Sequence, residues 1–380
     1  MVSWMKMLQV ILFILYAILL GMFALAVWRL RYGFKHFKMK QLLTSKAMIE
    51  DLPSVTVCIP ARNEDHVMSD ALESILDSTY PKLEIIVLDD MSGDNTSALI
   101  KAFAREGVRF VEGKKLPAGW LGKNHALQGL LNEASGTYVL FIDIDTRLAP
   151  DSIEQLVAYA KQEDATMVSV LPRREDGLRV SVILSSLRYF WEIMFHRLSA
   201  PATASNAWMI HRKTLLERFN GFESLKDAIQ PESVISADLM ASGKYRFLIG
   251  TEMLGVSYEK KWRSQLSTST RLLFPLLHMK IVNAVIASLD LLVLSTPLFV
   301  VSSIFFIGYD INQLIGAFFI LLFAGLYGAY LKKVWKRGWI IGGLLWSIVA
   351  IQEAVLVIVS AIRYNQKTVT WKGRLVKAPK

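Results

Sequence analysis

With 380 residues, the chain can hold one sizeable soluble domain and further elements beside it. Its single cysteine, Cys58, excludes an intrachain disulfide and fits a domain kept in a reducing compartment. A mean hydropathy of +0.36 with a net charge of +10 is unusual for a soluble protein, and segregation explains it. Apolar residues gather towards the two ends, and Lys and Arg cluster beside them. Basic runs in that position face anionic lipid headgroups, which excludes nucleic acid as the partner implied by the charge.

Residues 8–28 carry no charge over 21 positions, enough for a transmembrane helix. A secretory signal would have a shorter apolar region and a small-residue cleavage site, and neither is evident. The basic run that follows, WRLRYGFKHFKMK, predicts by the positive-inside rule that the chain emerges in the cytoplasm of a cell membrane. The expected organisation therefore begins with a membrane helix over 1–30 and a basic juxtamembrane segment over 31–50.

Residues 51–255 have the composition of a soluble domain. Strand-like runs at 54–59, 83–88, 108–111 and 138–142 alternate with helical patterns at 67–77, 97–106 and 123–133. Alternation of this kind predicts an α/β fold with a mainly parallel sheet covered on both faces. Ligands bind beyond the carboxyl ends of the strands in such sheets, so the residues following each strand are informative. Pro60, Ala61, Arg62, Asn63 and Glu64 follow the first, Asp89, Asp90 and Asp94 the second, and Asp143 and Asp145 a later one. Ser92 and Asp94 suit a helix cap. Asp89 directly ends an apolar strand, where ligand contact is the better expectation.

The stretch FIDIDTRLAP, residues 141–150, carries the sharpest chemical signal. Asp143 and Asp145 stand one residue apart, and alternate side chains of an extended segment point the same way. Two hard oxygen ligands facing one point suit Mg²⁺ or Mn²⁺ carrying a substrate diphosphate. A polar turn after a strand also often begins with Asp.

Together, VTVCIPARNE, VLDDMSGDNT, GWLGKNHAL and FIDIDTRLAP resemble the nucleotide-sugar-binding half of a family 2 glycosyltransferase over residues 54 to about 250. The flanking apolar spans resemble the membrane-bound members that glycosylate lipids, such as the ceramide glucosyltransferase-like and carotenoid- or hopanoid-associated enzymes. The resemblance implies a GT-A nucleotide-diphospho-sugar transferase domain flanked by transmembrane helices. It also implies that Pro60 and Ala61 shape a loop for Glu64, and that Glu64, Asp89 and Asp90 hold the base and ribose of a uridine nucleotide. Lys123 would lie against the diphosphate, Asp143 against the ribose or donor sugar, and Asp145 on the metal. Asn206 and Trp208 would face the acceptor, although Trp208 suits core packing equally well.

The family's catalytic base lies in an acidic motif eleven residues before a helix-ending glycine. Counting back from Gly243, or forward from Gly221, reaches Glu232, where the usual aspartate is replaced by a residue one methylene longer. Glu232 is thus the expected base, with Asp227 and Asp238 as alternatives. A Gln-x-x-Arg-Trp motif that grips the acceptor in processive members is missing. YEKKWRSQLSTSTR, residues 258–271, holds Trp262, Arg263 and Gln265 in another order, which argues against processive chain synthesis.

Residues 256–290 look like interfacial helices, and 291–365 like membrane spans, with Glu353 an ionisable residue inside the last. Three such spans would leave the basic tail, 366–380, on the outer side, whereas the family keeps its similar Trp-Lys-Gly-Arg tail near the cytoplasmic surface. Either one segment is re-entrant, or the stretch before Leu291 crosses as well. The expected activity is inverting transfer from a nucleotide sugar, UDP-linked, to a hydroxyl of a membrane lipid. Transfer to an exopolysaccharide and a nucleotide-sugar-binding pseudoenzyme acting as a membrane partner are the alternatives.

Overall fold

A computed structural model describes residues 2–36, 52–175, 179, 184–196, 201–251, 254–335 and 337–376. The predicted basic segment therefore lies mostly outside the described residues, as does the end of the tail. The chain divides into two compact units: Met1–His36, Gly177–His196 and Lys261–Ile362 form one, and Phe37–Asp176, Arg197–Lys260 and Arg363–Lys380 the other.

The second unit is built on a seven-stranded sheet. In chain order its strands are β1 (Val55–Ala61), β2 (Leu83–Asp89), β3 (Val108–Glu112), β4 (Tyr138–Ile142), β6 (Met167–Leu171), β8 (Ala207–His211) and β9 (Tyr245–Ile249). They lie in the order β3-β2-β1-β4-β8-β6-β9. The first four are mutually parallel, while β8 runs antiparallel to both β4 and β6. A smaller sheet joins β5 (Thr146–Leu148), β10 (Val256–Tyr258) and β7 (Arg173–Arg174), and a hairpin pairs β11 (Thr370–Trp371) with β12 (Arg374–Leu375).

The central strands β1 and β4 are buried almost throughout, which is why VTVCIPA and YVLFI read as continuous apolar runs rather than alternating ones. Helix Asp65–Leu76 buries Met68, Ala71, Leu72 and Ile75, an i, i+3, i+4, i+7 stripe that covers one face of the sheet. Cys58 is fully buried in β1 and packs as a small apolar residue.

Among the described residues, four helices of the first unit are long and apolar enough to cross a membrane: Lys6–Lys35, Ile281–Ile307, Ile311–Val334 and Trp346–Asn365. The apolar helix expected from Leu291 thus begins at Ile281, directly after a turn in which His278 and Met279 adopt positive φ. Tyr16 stacks on Phe319, Phe23 meets Phe323 and Phe34 meets Tyr330, so the first helix runs parallel to Ile311–Val334.

The last apolar segment does not start where the preceding helix ends. Helix Trp339–Leu344 turns back along Ile311–Val334: a Cβ on Gly342 would lie 2.8 Å from Leu331, and one on Gly343 would lie 2.8 Å from the Ala324 carbonyl. By Trp346 the chain has reached Phe323 and Tyr327, about halfway along that helix. From there Trp346–Asn365 runs antiparallel to Ile281–Ser302. Ser295 Oγ donates to the Ser347 carbonyl, Ser288 Oγ to that of Ala354, and Ser360 Oγ to that of Thr270 in the helix before. The chain therefore climbs partway and returns to the end it left.

Candidate active site

Strands β2, β1 and β4 are adjacent and parallel, so their carboxyl ends open at one edge of the sheet. This brings together the three polar clusters that sequence assigns to one crevice. The loop after β1 is stitched to the loop after β2. Asn63, at positive φ, accepts from Gly93 N through Oδ1 at 2.9 Å, and its own N–H donates to Ser92 Oγ at 2.9 Å. Arg62 donates to the carbonyls of Asp90 and Met91. Pro60 and Ala61 are the last residues of β1, and the Ala61 carbonyl accepts from Asp90 N at 2.8 Å.

The acidic residues of these loops differ in their surroundings. Asp89 accepts from Ser92 Oγ and N on one oxygen and from Ser97 Oγ on the other, so it holds the loop in shape. Asp94 accepts from Thr96 N at 3.1 Å and Thr96 Oγ1 at 2.6 Å; it lies one residue before Asn95, which takes the N-cap position expected of Asp94. Asp90 is buried; Oδ2 pairs with Arg374 at 2.6 Å, while Oδ1 has no partner among the described residues. Glu64 pairs with Lys372 at 2.7 Å. Burial raises the pKa of both carboxyls, and the tail cations oppose that rise.

Beyond β4, Asp143 pairs with Lys123 at 2.7 Å. Lys123 sits in the first turn of helix Gly122–Glu133, the position the Gly-Lys pattern predicts. The Asp143 N–H donates to the Asn206 carbonyl at 2.9 Å, and Thr146 Oγ1 donates to the same carbonyl at 3.1 Å, which fixes the turn between the two aspartates. Asp145 has Lys260 3.6 Å from Oδ2, and Oδ1 is buried without a hydrogen-bond partner among the described residues. Burial drives its pKa up, Lys260 and Lys123 pull it down, and Asp143 adds to the rise.

An orphaned, buried carboxylate oxygen beside a second carboxylate fits a hard divalent cation. The described residues hold no cluster of three or more His, Cys, Asp or Glu that could bind a metal alone. A cation here would thus take its remaining ligands from a substrate diphosphate or water.

Glu232 lies in the first turn of helix Pro231–Ala241 and is 2% exposed. Of its alternatives, Asp238 pairs with Arg218 at 2.6 Å and Asp227 is exposed. Trp208 is 1% exposed and packs on Phe141, with ring centroids 4.5 Å apart, and on Phe222. It belongs to the core, as its second sequence reading has it. Gln265 donates to the Leu184 carbonyl at 2.7 Å within the helical unit.

Sequence reasoning assigned no role to Lys260 or to the tail residues Lys372 and Arg374. Lys260 follows β10, which pairs with β5 just after Asp145, so only the sheet register brings them together.

The strand order and the crevice at the ends of β2, β1 and β4 define the GT-A glycosyltransferase fold, joined here to apolar helices. Residues 56–226 match the family Glycosyl transferase family 2. A 138-residue stretch is 30% identical to 4,4'-diaponeurosporenoate glycosyltransferase of Staphylococcus aureus, covering 36% of this chain and 36% of that protein. The match thus spans about a third of the relative's length. A mannosyltransferase from Pyrobaculum calidifontis, solved in complex with GDP-Man and Mn²⁺, shares the fold with a TM-score of 0.60 at 21% identity, over 94% of this chain and 98% of that one.

Proposed function

We propose that the protein is an inverting glycosyltransferase that moves a sugar from a nucleotide-sugar donor, UDP-linked, to a hydroxyl of a membrane lipid. The observation that carries this reading is the orphaned oxygen of Asp145 beside the Lys123–Asp143 pair at the carboxyl end of β4. The carotenoid-type acceptor named for the Staphylococcus aureus relative, together with the apolar helices of this chain, supports a lipid acceptor.

In this reading Glu64, Asp89 and Asp90, with Pro60 and Ala61 shaping the loop, form the nucleoside end of the donor site. The Asp89 carboxylate contributes by holding that loop, and the unpartnered Oδ1 of Asp90 accepts from the nucleoside. Asp145 would hold Mg²⁺ or Mn²⁺, with Asp143 beside it against the ribose or donor sugar, and the cation would supply positive charge to the departing diphosphate. Lys123 adds a fixed cation on the same side. Glu232 takes the proton of the acceptor hydroxyl as its oxygen attacks the anomeric carbon. The bond from that carbon to the diphosphate oxygen breaks on the opposite face, and its electrons leave with the nucleotide.

The test is nucleotide release from UDP-glucose, UDP-galactose, UDP-N-acetylglucosamine and GDP-mannose by purified protein in lipid extract with Mg²⁺ or Mn²⁺. Release with one donor, lost by about 10²-fold or more in Asp145→Ala and in Glu232→Gln, is the expected outcome. Metal-dependent nucleotide binding without release from any donor, across a panel of lipid acceptors, would leave a binding protein instead.

A further inference from the structure

The tail hairpin β11–β12 lies outside the matched family segment, yet it ends on the residues that form the nucleoside side of the crevice. Lys372 pairs with Glu64 at 2.7 Å and reaches the Asn63 carbonyl at 3.5 Å, while its own carbonyl accepts from Arg62 Nε at 3.3 Å. Arg374 pairs with Asp90 at 2.6 Å. Trp371 and Arg374 also pack against Gly122, beside Lys123. A Cβ there would lie 3.0 Å from the Arg374 guanidinium and 3.1 Å from the indole. The hairpin and the family segment therefore fit each other at three separate strand-to-helix loops.

Electrostatics explains what this fit supplies. A nucleoside diphosphate is a polyanion, and the crevice offers it Glu64, Asp89, Asp90, Asp143 and Asp145. From the family segment Arg62 and Lys123 oppose them at these loops. Like charge repels an arriving anion, and the effect grows where surfaces exclude water. Lys372 and Arg374 neutralise the two carboxylates nearest the nucleoside end. Arg374 bonds Asp90 through Nη1, and its guanidinium carries five donors in all.

We infer that the C-terminal hairpin is a structural part of the donor site, in which Lys372 and Arg374 bind the nucleoside-diphosphate portion of the donor. This inference rests on the donor reading above. It adds a binding element that follows the last apolar helix directly in sequence, so the site is complete only when the whole chain has been threaded.

The test is titration of the full-length protein in lipid nanodiscs with UDP and with GDP, each with Mn²⁺, comparing wild type with Lys372→Met and Arg374→Gln. A lost charge-assisted hydrogen bond corresponds to about 10- to 100-fold in affinity. Each variant is expected to bind more weakly by at least about tenfold, with a shallower dependence of affinity on salt than wild type. Lys372 is half-buried, so Lys372→Met decides alone if Arg374→Gln does not fold. Unchanged affinity overturns the inference. Tighter binding in the variants also overturns it, because the hairpin would then compete with the nucleotide. Failure of wild type to bind either nucleotide sinks the donor reading itself, a result distinct from both.

Discussion

Asp145 has to be ionised to hold a cation, yet its surroundings press towards the neutral acid. Burial is the larger influence, and Lys260 is the main group opposing it. Replacing Lys260 with Met removes that opposition, so the carboxyl's pKa rises further. The acid limb of the pH–rate profile for nucleotide release should then move to higher pH in Lys260→Met. An unshifted acid limb would show that the pair does not govern Asp145. Asp143, Asp145 and Lys123 were legible in the sequence because each sits at a fixed offset from an apolar run or a glycine turn. Lys260 and Arg374 were not. The first meets Asp145 through antiparallel register, and the second reaches Asp90 from 284 residues away. Glu232 was singled out by counting between Gly221 and Gly243, both of which adopt positive φ and so mark real turns. Asp89 has a local role that its strand-end position did not announce: Ser92 and Ser97, three and eight positions on, donate to its two carboxylate oxygens.

Glu84 shows how single side chains tie elements together. It projects from β2, accepts from Thr56 Oγ1 of β1 at 2.6 Å, and receives both the N–H and the hydroxyl of Ser135, before β4. Arg109 on β3 pairs with it at 3.1 Å. Burial alone would raise its pKa, but these donors outweigh burial and the carboxyl ends below its ordinary value. A carboxyl lowered by folding adds stability that is present above its unfolded pKa, near 4.3, and is lost as pH falls through the folded value. The unfolding midpoint of wild type should therefore drop on acidification below about pH 4.3 more steeply than that of Glu84→Gln. Parallel acid limbs for the two proteins would sink this assignment. Element type was legible for the parallel strands because their apolar runs are continuous and short. The break at Leu345 was not, because 339–351 is apolar on both sides of it apart from Ser347. Only the glycines at 342 and 343, packed against Leu331 and the Ala324 backbone, separate two helices within it.

At the scale of the molecule, the path of the last helices decides where the tail can go. The tail hairpin belongs to the same compact unit as the sheet, so the chain leaving that unit at Lys260 must come back to it by Arg363. Three full crossings between those points would strand the hairpin on the far side. The contacts of Trp339–Leu344 and Trp346–Asn365 favour the re-entrant answer: the segment runs about halfway along Ile311–Val334 and returns, so that Ile281–Ser302 and Ile311–Val334 would be the two complete crossings. The sequence posed this conflict and left a re-entrant segment as one answer, since hydropathy measures length and apolarity but not direction. Lys332 and Lys333 lie in the last turn of Ile311–Val334, the end from which the re-entrant segment starts, and the positive-inside rule assigns such a basic end to the cytoplasmic side. Cysteine labelling in sealed vesicles tests the assignment with little background, because Cys58 is fully buried. Lys101→Cys on the sheet unit and Gln366→Cys before the hairpin are both exposed positions, and Tyr309→Cys sits at the tip between the two crossings. A membrane-impermeant maleimide should reach the first two from one side and the third only from the other. Labelling of Gln366→Cys together with Tyr309→Cys would instead require three crossings, and would separate the hairpin from the carboxylates it is paired with.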